Sequence, residues 1–267
     1  MNAPVVPLKN LGTLSEQAAP PLPPGGIDGL DSTLRVNNSI VYTSPEMQGL
    51  KFSMQYGVGG IAGSLGSGST IAAAARYLRG PLSLATGYVR ITNADSGSGG
   101  FSSSSSATFF TSVINQGYLS AHTIQQIVAY GNYRFGNLTV GTGYANVAYR
   151  PDGKSSFGSS AIFNIYGGLA AYQFTPAFSL AAGSSFTRAS QANGITDAAR
   201  YFQCSFQENY SLSKRTTIYL LQAYQHARGR LQDPREKGTS FRPCRRSATR
   251  RTLLRLQQLT SSSVWSV

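Results

Sequence analysis

Between residues 33 and 227, apolar side chains alternate with small or polar ones. A period of two is the mark of a strand with two different faces. Leu50, Phe52, Met54, Tyr56 and Val58 are separated by Lys51, Ser53, Gln55 and Gly57. The same alternation runs through Leu82, Leu84, Thr86 and Tyr88, and through Leu138, Val140, Thr142 and Tyr144. It continues through Tyr166, Gly168, Ala170, Tyr172 and Phe174, then Phe178, Leu180, Ala182, Ser184 and Phe186. The pattern predicts ten strands, near 33–44, 50–58, 69–79, 81–92, 122–135, 137–149, 160–174, 177–188, 200–212 and 215–227.

The connections alternate too. Short turns fall at Ser44–Gly49, Arg79-Gly80-Pro81, Gly136-Asn137, Thr175-Pro176 and Ser213-Lys214. Long loops fall at Gly59–Gly68, Thr92–Ala121, Pro151–Ser159 and Ala189–Ala199, the second with Ser102–Ser106 in a row. In an up-and-down antiparallel sheet, all the short turns then lie at one rim and all the long loops at the other. Greek-key sandwiches do not alternate so strictly. Outer-membrane barrels do, with short periplasmic turns and long external loops.

Aromatic residues repeat with the hairpins. Tyr77, Tyr133, Tyr172 and Tyr210 stand just before short turns, and Leu82, Leu138, Phe178 and Ile218 follow them. Tyr88, Tyr144, Phe186 and Tyr224 stand at the far end of the rising strands. Two aromatic belts around a short aliphatic band fit a membrane, where amphipathic rings settle at the water interfaces. Leu138 to Tyr144 spans roughly 20 Å at ~3.3 Å per residue. Tilted by ~40°, that is thinner than the ~25 Å apolar band of such barrels. A single ring would suit a sandwich core equally well; two belts over four hairpins favour lipid. The apolar face is also rich in Gly, Ala and Thr, where a protein core calls for larger residues.

Parity assigns the opposite face. With Val36, Ile40 and Tyr42 outward, the inward set is Arg35, Asn37, Lys51, Ser53, Gln55, Arg76, Arg134, Gln203, Gln207 and Asn209. This set predicts a polar, hydrated, mildly cationic wall, with Arg35, Lys51, Gln55, Arg76 and Arg134 as the candidate pore-lining residues. Rings of charge on such a wall bias which ions enter. The plainer reading is a solvated sheet face with a few basic residues. Glu208 breaks the pattern by sharing the apolar parity of Phe202, Cys204, Phe206 and Tyr210.

Composition narrows the class. Charged residues are only 12% of the chain against ~25% in ordinary soluble proteins. Aromatics at 11% exclude a disordered chain. No apolar run approaches the ~18 residues of a membrane-spanning helix. The net charge is +13, with +8 of it in residues 228–267. That tail has no recognisable nucleic-acid-binding module, so no nucleic-acid partner is expected. Residues 1–32 read as a Pro/Ala-rich leader, 33–227 as the strand region, and 228–267 as an Arg-rich tail without alternation. Cys204 and Cys244 lie far apart, without a Cys-x-x-Cys motif, and their pairing stays open.

Catalytic chemistry has little to stand on. His122 and His226 are the two histidines, at the loop ends of different predicted strands. No nucleophile elbow, zinc-helix motif or phosphate loop is present. Gly97-Ser98-Gly99 lies in a serine-rich loop, and Asp28 and Asp31 form at most a weak cation site. The expectation is a protein that is not an enzyme, with no cofactor and no metal.

Particular segments resemble a known family. Arg35–Pro45, Gly49–Phe52 running to Tyr56-Gly57, and Tyr210–Thr216 leading to Tyr219 and Tyr224-Gln225 are similar to strands of the Gram-negative trimeric general porins. The resemblance covers about residues 27–228. It implies an all-β, up-and-down antiparallel transmembrane β-barrel, of which this chain holds about ten of ~16 strands. It further implies a cell outer-membrane location, a homotrimer, contact with outer-membrane lipid, and passive diffusion of small hydrophilic solutes and ions. Arg35, Lys51 and Arg76 are then candidates for the cationic wall of a constriction. The family's constriction loop belongs upstream and has no counterpart in these residues. Set against that pattern, the expectation is that the family's signal peptide and several first strands are missing from these residues. The chain ends at Trp265-Ser266-Val267 rather than in a strand closed by a terminal aromatic, and the tail reads like a shifted reading frame. The expectation is therefore a porin fragment, with a conducting and a non-conducting chain both left open. Two other classes remain open: a surface adhesin or autotransporter-like β-domain, and a soluble β-sandwich binding protein.

Overall fold

The computed structural model describes residues 36–94 and 114–231, apart from 37, 65, 115, 214 and 215. It also describes the strand backbones of 3–4, 35, 232, 241–243 and 249–258. Asp28, Asp31, Gly97, Cys244 and Trp265 lie outside the described residues.

A short pair opens the chain, β1 (Ala3–Pro4) against β2 (Arg35–Val36). The main sheet follows as β3 (Ser39–Thr43), β4 (Leu50–Gly57), β5 (Thr70–Arg79), β6 (Leu82–Thr92), β7 (Thr123–Phe135) and β8 (Leu138–Arg150). It continues with β9 (Ala161–Gln173), β10 (Phe178–Ala189), β11 (Arg200–Ser213) and β12 (Thr216–Arg228). A second short pair, β13 (Arg230–Gln232) and β14 (Phe241–Pro243), precedes β15 (Thr249–Gln258). Strands β3 to β12 pair antiparallel with their sequence neighbours, and β15 lies beside β12. β3 and β15 are the edges of this 11-stranded sheet among the described residues.

Two of these features differ from the sequence reading. The predicted strand 33–44 is broken because Asn38 takes φ +48. Alternation does not run through that kink, so Val36 is buried in the core instead of facing outward with Ile40. The tail also supplies a strand. β15 pairs with β12 from Thr216↔Gln258 to Gln225↔Thr249. A ladder is made by backbone groups, so it forms without the side-chain alternation that marks the other strands.

The turns follow from glycine. Gly80 and Gly136, at φ +55 and +58, each take the first central position of a two-residue hairpin. Primed hairpin turns place a positive φ there. At the turn before β4, Gln48 and Gly49 both have positive φ, and Met47 and Leu50 exchange backbone hydrogen bonds of 2.8 Å. Gly49 is further constrained because a Cβ there would collide with the carbonyl oxygen of Leu78. Gly49→Ala therefore loses about 1–3 kcal/mol of stability from strain and displaced backbone. Gly80→Ala, with open space at the Cβ position, loses less. Urea midpoints followed by circular dichroism of the folded, detergent-solubilised chains order the two.

The register separates two faces. The open face carries Ile40, Met54, Tyr133, Phe135, Tyr166, Phe206 and Tyr210, all exposed, with Ile40 at 78% and Phe135 at 60%. On the covered face Ser53 and Gln55 are only 1% and 2% exposed. The uniformly polar inward wall expected from the sequence is corrected at the long-loop side. There the covered face carries Val89, Val128, Val147, Tyr149, Phe163 and Ile165, all buried in one apolar cluster. Ile114, Tyr118 and Ala121 from the segment before β7 pack into the same cluster, with Phe157 and Ile195 from the next two loops. Burial of these loop side chains gives the apolar half of the wall its cover.

Candidate pore wall

The turn-side half of the covered face is made of small and polar residues with basic ones among them, interrupted by Leu78, Leu169, Tyr219 and Leu221. Lys51 and Arg76 are direct cross-strand partners on it, both half-buried. Their row continues through Ala85, Tyr130, Gly143, Gly167, Ser185, Gln203 and Gln225. Opposed like charges repel. Glu46, in the turn between β3 and β4, offsets this with an Arg76 Nη2–Glu46 Oε2 contact of 3.7 Å. The pair is long and its acid is 56% exposed, so it contributes under about 1 kcal/mol and leaves the wall net positive.

Hydrogen-bonded side chains extend the polar half toward the turns. Gln207 Nε2 donates to Asn209 Oδ1 at 2.8 Å, and Asn209 Nδ2 donates to Ser179 Oγ at 3.3 Å. Ser211 and Thr217 share a hydroxyl contact of 3.2 Å.

The structure places the other candidates apart from this pair. Arg134 shares the covered face, but it is exposed at the turn rim and its Nε donates to the Gly136 carbonyl at 3.0 Å. It lies four strand positions from Tyr130 of the Lys51 row, roughly 13 Å at ~3.3 Å per residue. Gln55 is buried, its Nε2 donating to Ser39 Oγ at 3.1 Å. The side chains of Arg35 and Asn37 lie outside the described residues. Arg35 also stands before the kink at Asn38, where parity counted from Ile40 no longer applies. Glu208 is exposed on the open face opposite Leu180 and Leu220.

Residue types alone missed Glu46, Tyr130 and the loop cover. The signal for Tyr130 is its pairing with Gly143, where an added Cβ would collide with the tyrosine ring. The loop cover has a weaker signal, Ile114, Tyr118 and Leu119 close together in one loop and the lone Phe157 in the next. At the same rim the loops are tied together. His122 Nδ1 lies 3.4 Å from Asp152 Oδ2, Ser120 and Ser156 share a 2.6 Å hydroxyl contact, and Asn193 Oδ1 accepts from the Ser159 amide at 2.6 Å.

Comparison with known proteins places this architecture. A family model described as Gram-negative porin matches residues 10–230. The chain belongs to the Gram-negative porin family. No curated protein sequence matches this porin significantly. Among solved structures, the anion-selective porin from Comamonas acidovorans is similar with a TM-score of 0.56 at 16% identity, over 83% of this chain and 58% of that one. OmpT of Vibrio cholerae in its trimer form gives a TM-score of 0.53 at 11% identity, over 82% and 62% of the two chains. In-vitro folded OmpT gives 0.53 at 11% identity, over 80% and 61%. At these identities the likeness is one of fold. The porin spans about 58–62% of the length of these relatives. It is an all-β, up-and-down transmembrane barrel sheet, open among the described residues, and its place is the outer membrane.

Proposed function

We propose that this porin takes part in a water-filled pore through which small hydrophilic solutes and ions diffuse passively, with anions favoured over cations. The observation that carries the reading is the two-faced sheet. Its open face is dominated by apolar and aromatic residues between the rims, with Glu208 and Gln222 as exposed exceptions, as lipid contact requires. The turn-side half of its covered face is mostly small and polar, with Lys51 and Arg76 side by side. A wide barrel leaves such a wall open to water, and fixed positive charge on it raises the local anion concentration. The role is that of a channel and not of an enzyme. A homotrimer in outer-membrane lipid is the proposed assembly, supported by the similarity to the trimer form of OmpT.

Planar-bilayer recording of the refolded full chain tests this. Stepwise conductance with an anion-favouring reversal potential in a KCl gradient is expected. The double variant Lys51→Glu, Arg76→Glu is expected to turn the preference toward cations, because it changes the local charge by four units on adjacent positions. Absence of conductance steps from a verified folded chain contradicts the pore reading. Unchanged selectivity in the double variant contradicts the placing of these two residues on the pore wall.

A further inference from the structure

Four acids fall among the described residues. Asp152 and Asp197 stand in the long loops, and Glu208 stands on the open face. Glu46 alone among them reaches the short-turn end of the covered face, where its Oε2 lies 3.7 Å from Arg76 Nη2. Arg76 is in turn the direct cross-strand partner of Lys51. Two positive charges and one negative charge therefore meet at one corner of the covered wall.

The turn that carries Glu46 is fixed on both sides. Before it, the buried Ser44 donates its amide to the Phe52 carbonyl at 2.9 Å, and its Oγ accepts from the Phe52 amide at 2.9 Å. After it, the Gly49 carbonyl accepts from the amide of Leu78 at 2.8 Å, two residues along β5 from Arg76. Pro45, with its φ locked by the ring, stands next to Glu46. Gln48 takes φ +51, a left-handed conformation that costs a non-glycine residue free energy. The ion pair returns little of that cost, because it is long and its acid is exposed. So constrained a turn is better accounted for by the field of the acid it holds than by the strength of the pair.

We infer that Glu46 is a specificity-determining residue of the pore wall, which partly neutralises Arg76 and so sets how strongly anions are preferred. The inference rests on the pore reading above and adds a residue of opposite sign to the two that carry it. A fixed charge acts through water over about one Debye length, ~10 Å at 0.1 M salt and ~3 Å at 1 M. Directly opposed side chains on neighbouring strands stand about 5 Å apart, so an ion beside Lys51 and Arg76 also feels Glu46 in dilute salt. Removing the charge of Glu46 then raises the local ratio of anions to cations about twofold.

Reversal potentials of the refolded full chain in planar bilayers, in KCl gradients centred near about 0.1 M and about 1 M, test this. Glu46→Gln is expected to raise the chloride-to-potassium permeability ratio about twofold in the dilute gradient and much less in the concentrated one. Glu46→Ser gives the same rise. Glu46→Gln combined with Arg76→Gln removes one charge of each sign and returns the ratio close to wild type. Glu208→Gln removes the same charge from the open face and leaves the ratio unchanged. A Glu46→Gln ratio equal to wild type overturns the inference. A rise undiminished in concentrated salt overturns it in favour of an altered pore shape. Loss of the folded form in both Glu46 variants, read by heat-modifiable gel mobility, overturns it in favour of a structural residue of the turn. A wild-type chain without conductance steps sinks the pore reading and this inference together, whereas a conducting wild type with unresponsive Glu46 variants sinks the inference alone.

Discussion

Val140→Arg is expected to cost on the order of 2 kcal/mol of folded stability in a phospholipid bilayer, between the ~2–4 kcal/mol of the midplane and the ~0–1 kcal/mol of the interfaces. Val140 already stands exposed on the open face, so no packed core is disturbed by the longer side chain. Its strand neighbours across the face are Tyr133 and Ala170, which offer the guanidinium no carboxylate. If this face met water, an exposed Val→Arg change would fall within about 0.5 kcal/mol of neutral. The cost therefore reports the solvent of the face. Ser205→Arg is the matched control. Ser205 is half-buried on the covered face between Gly183 and Ala223, whose small side chains leave room. Urea titration of both variants in vesicles, with the folded fraction read by heat-modifiable gel mobility, gives the comparison. Equal losses would show that the two faces share one environment.

Tyr118→Ala is the second large effect, at about 3–5 kcal/mol for loss of a buried aromatic. The Tyr118 ring stacks on Tyr149 at 5.4 Å and meets Phe157 and Phe163 edge-on at 5.4 and 5.8 Å. It is the anchor that holds the segment before β7 against the covered face. Removing it frees that segment and uncovers Tyr149 and Phe163, both fully buried in the wild type. Tyr118→Phe keeps the ring and is expected to retain most of the stability. Urea midpoints and limited proteolysis around residues 114–122 read the two effects separately. A Tyr118→Ala chain as stable and as protease-resistant as the wild type would remove the loop from any structural role.

The strands were legible because a half-exposed strand writes its two faces directly into its sequence. All ten alternating segments form strands, and the register keeps Lys51 and Arg76 on one face as parity requires. Alternation failed where the backbone left the extended state. Asn38 tolerates a left-handed conformation, and one such residue decoupled Val36 from Ile40. It also failed for β15, whose backbone pairs with β12 while its sequence carries no period of two. The apolar half of the covered face was hidden for another reason. Val147, Tyr149, Phe163 and Ile165 share their strands' covered parity, but what covers them arrives from loops distant in sequence. Periodicity reports a residue's face and not the neighbour that will fold onto it. For the same reason Arg134 could be assigned a face but not a height. Only the register showed it at the turn rim, away from Lys51.

The central claim is that the open face meets hydrocarbon while the turn-side covered face meets water. Spin labels on single cysteines at positions 203 to 209, with Cys244 changed to Ser throughout and Cys204 changed to Ser in every chain but the one labelled there, test it in reconstituted vesicles. Positions 204, 206 and 208 should respond to lipid-dissolved oxygen, and 203, 205, 207 and 209 to a water-soluble nickel complex. A uniform response along β11, or the opposite phase, would contradict the account.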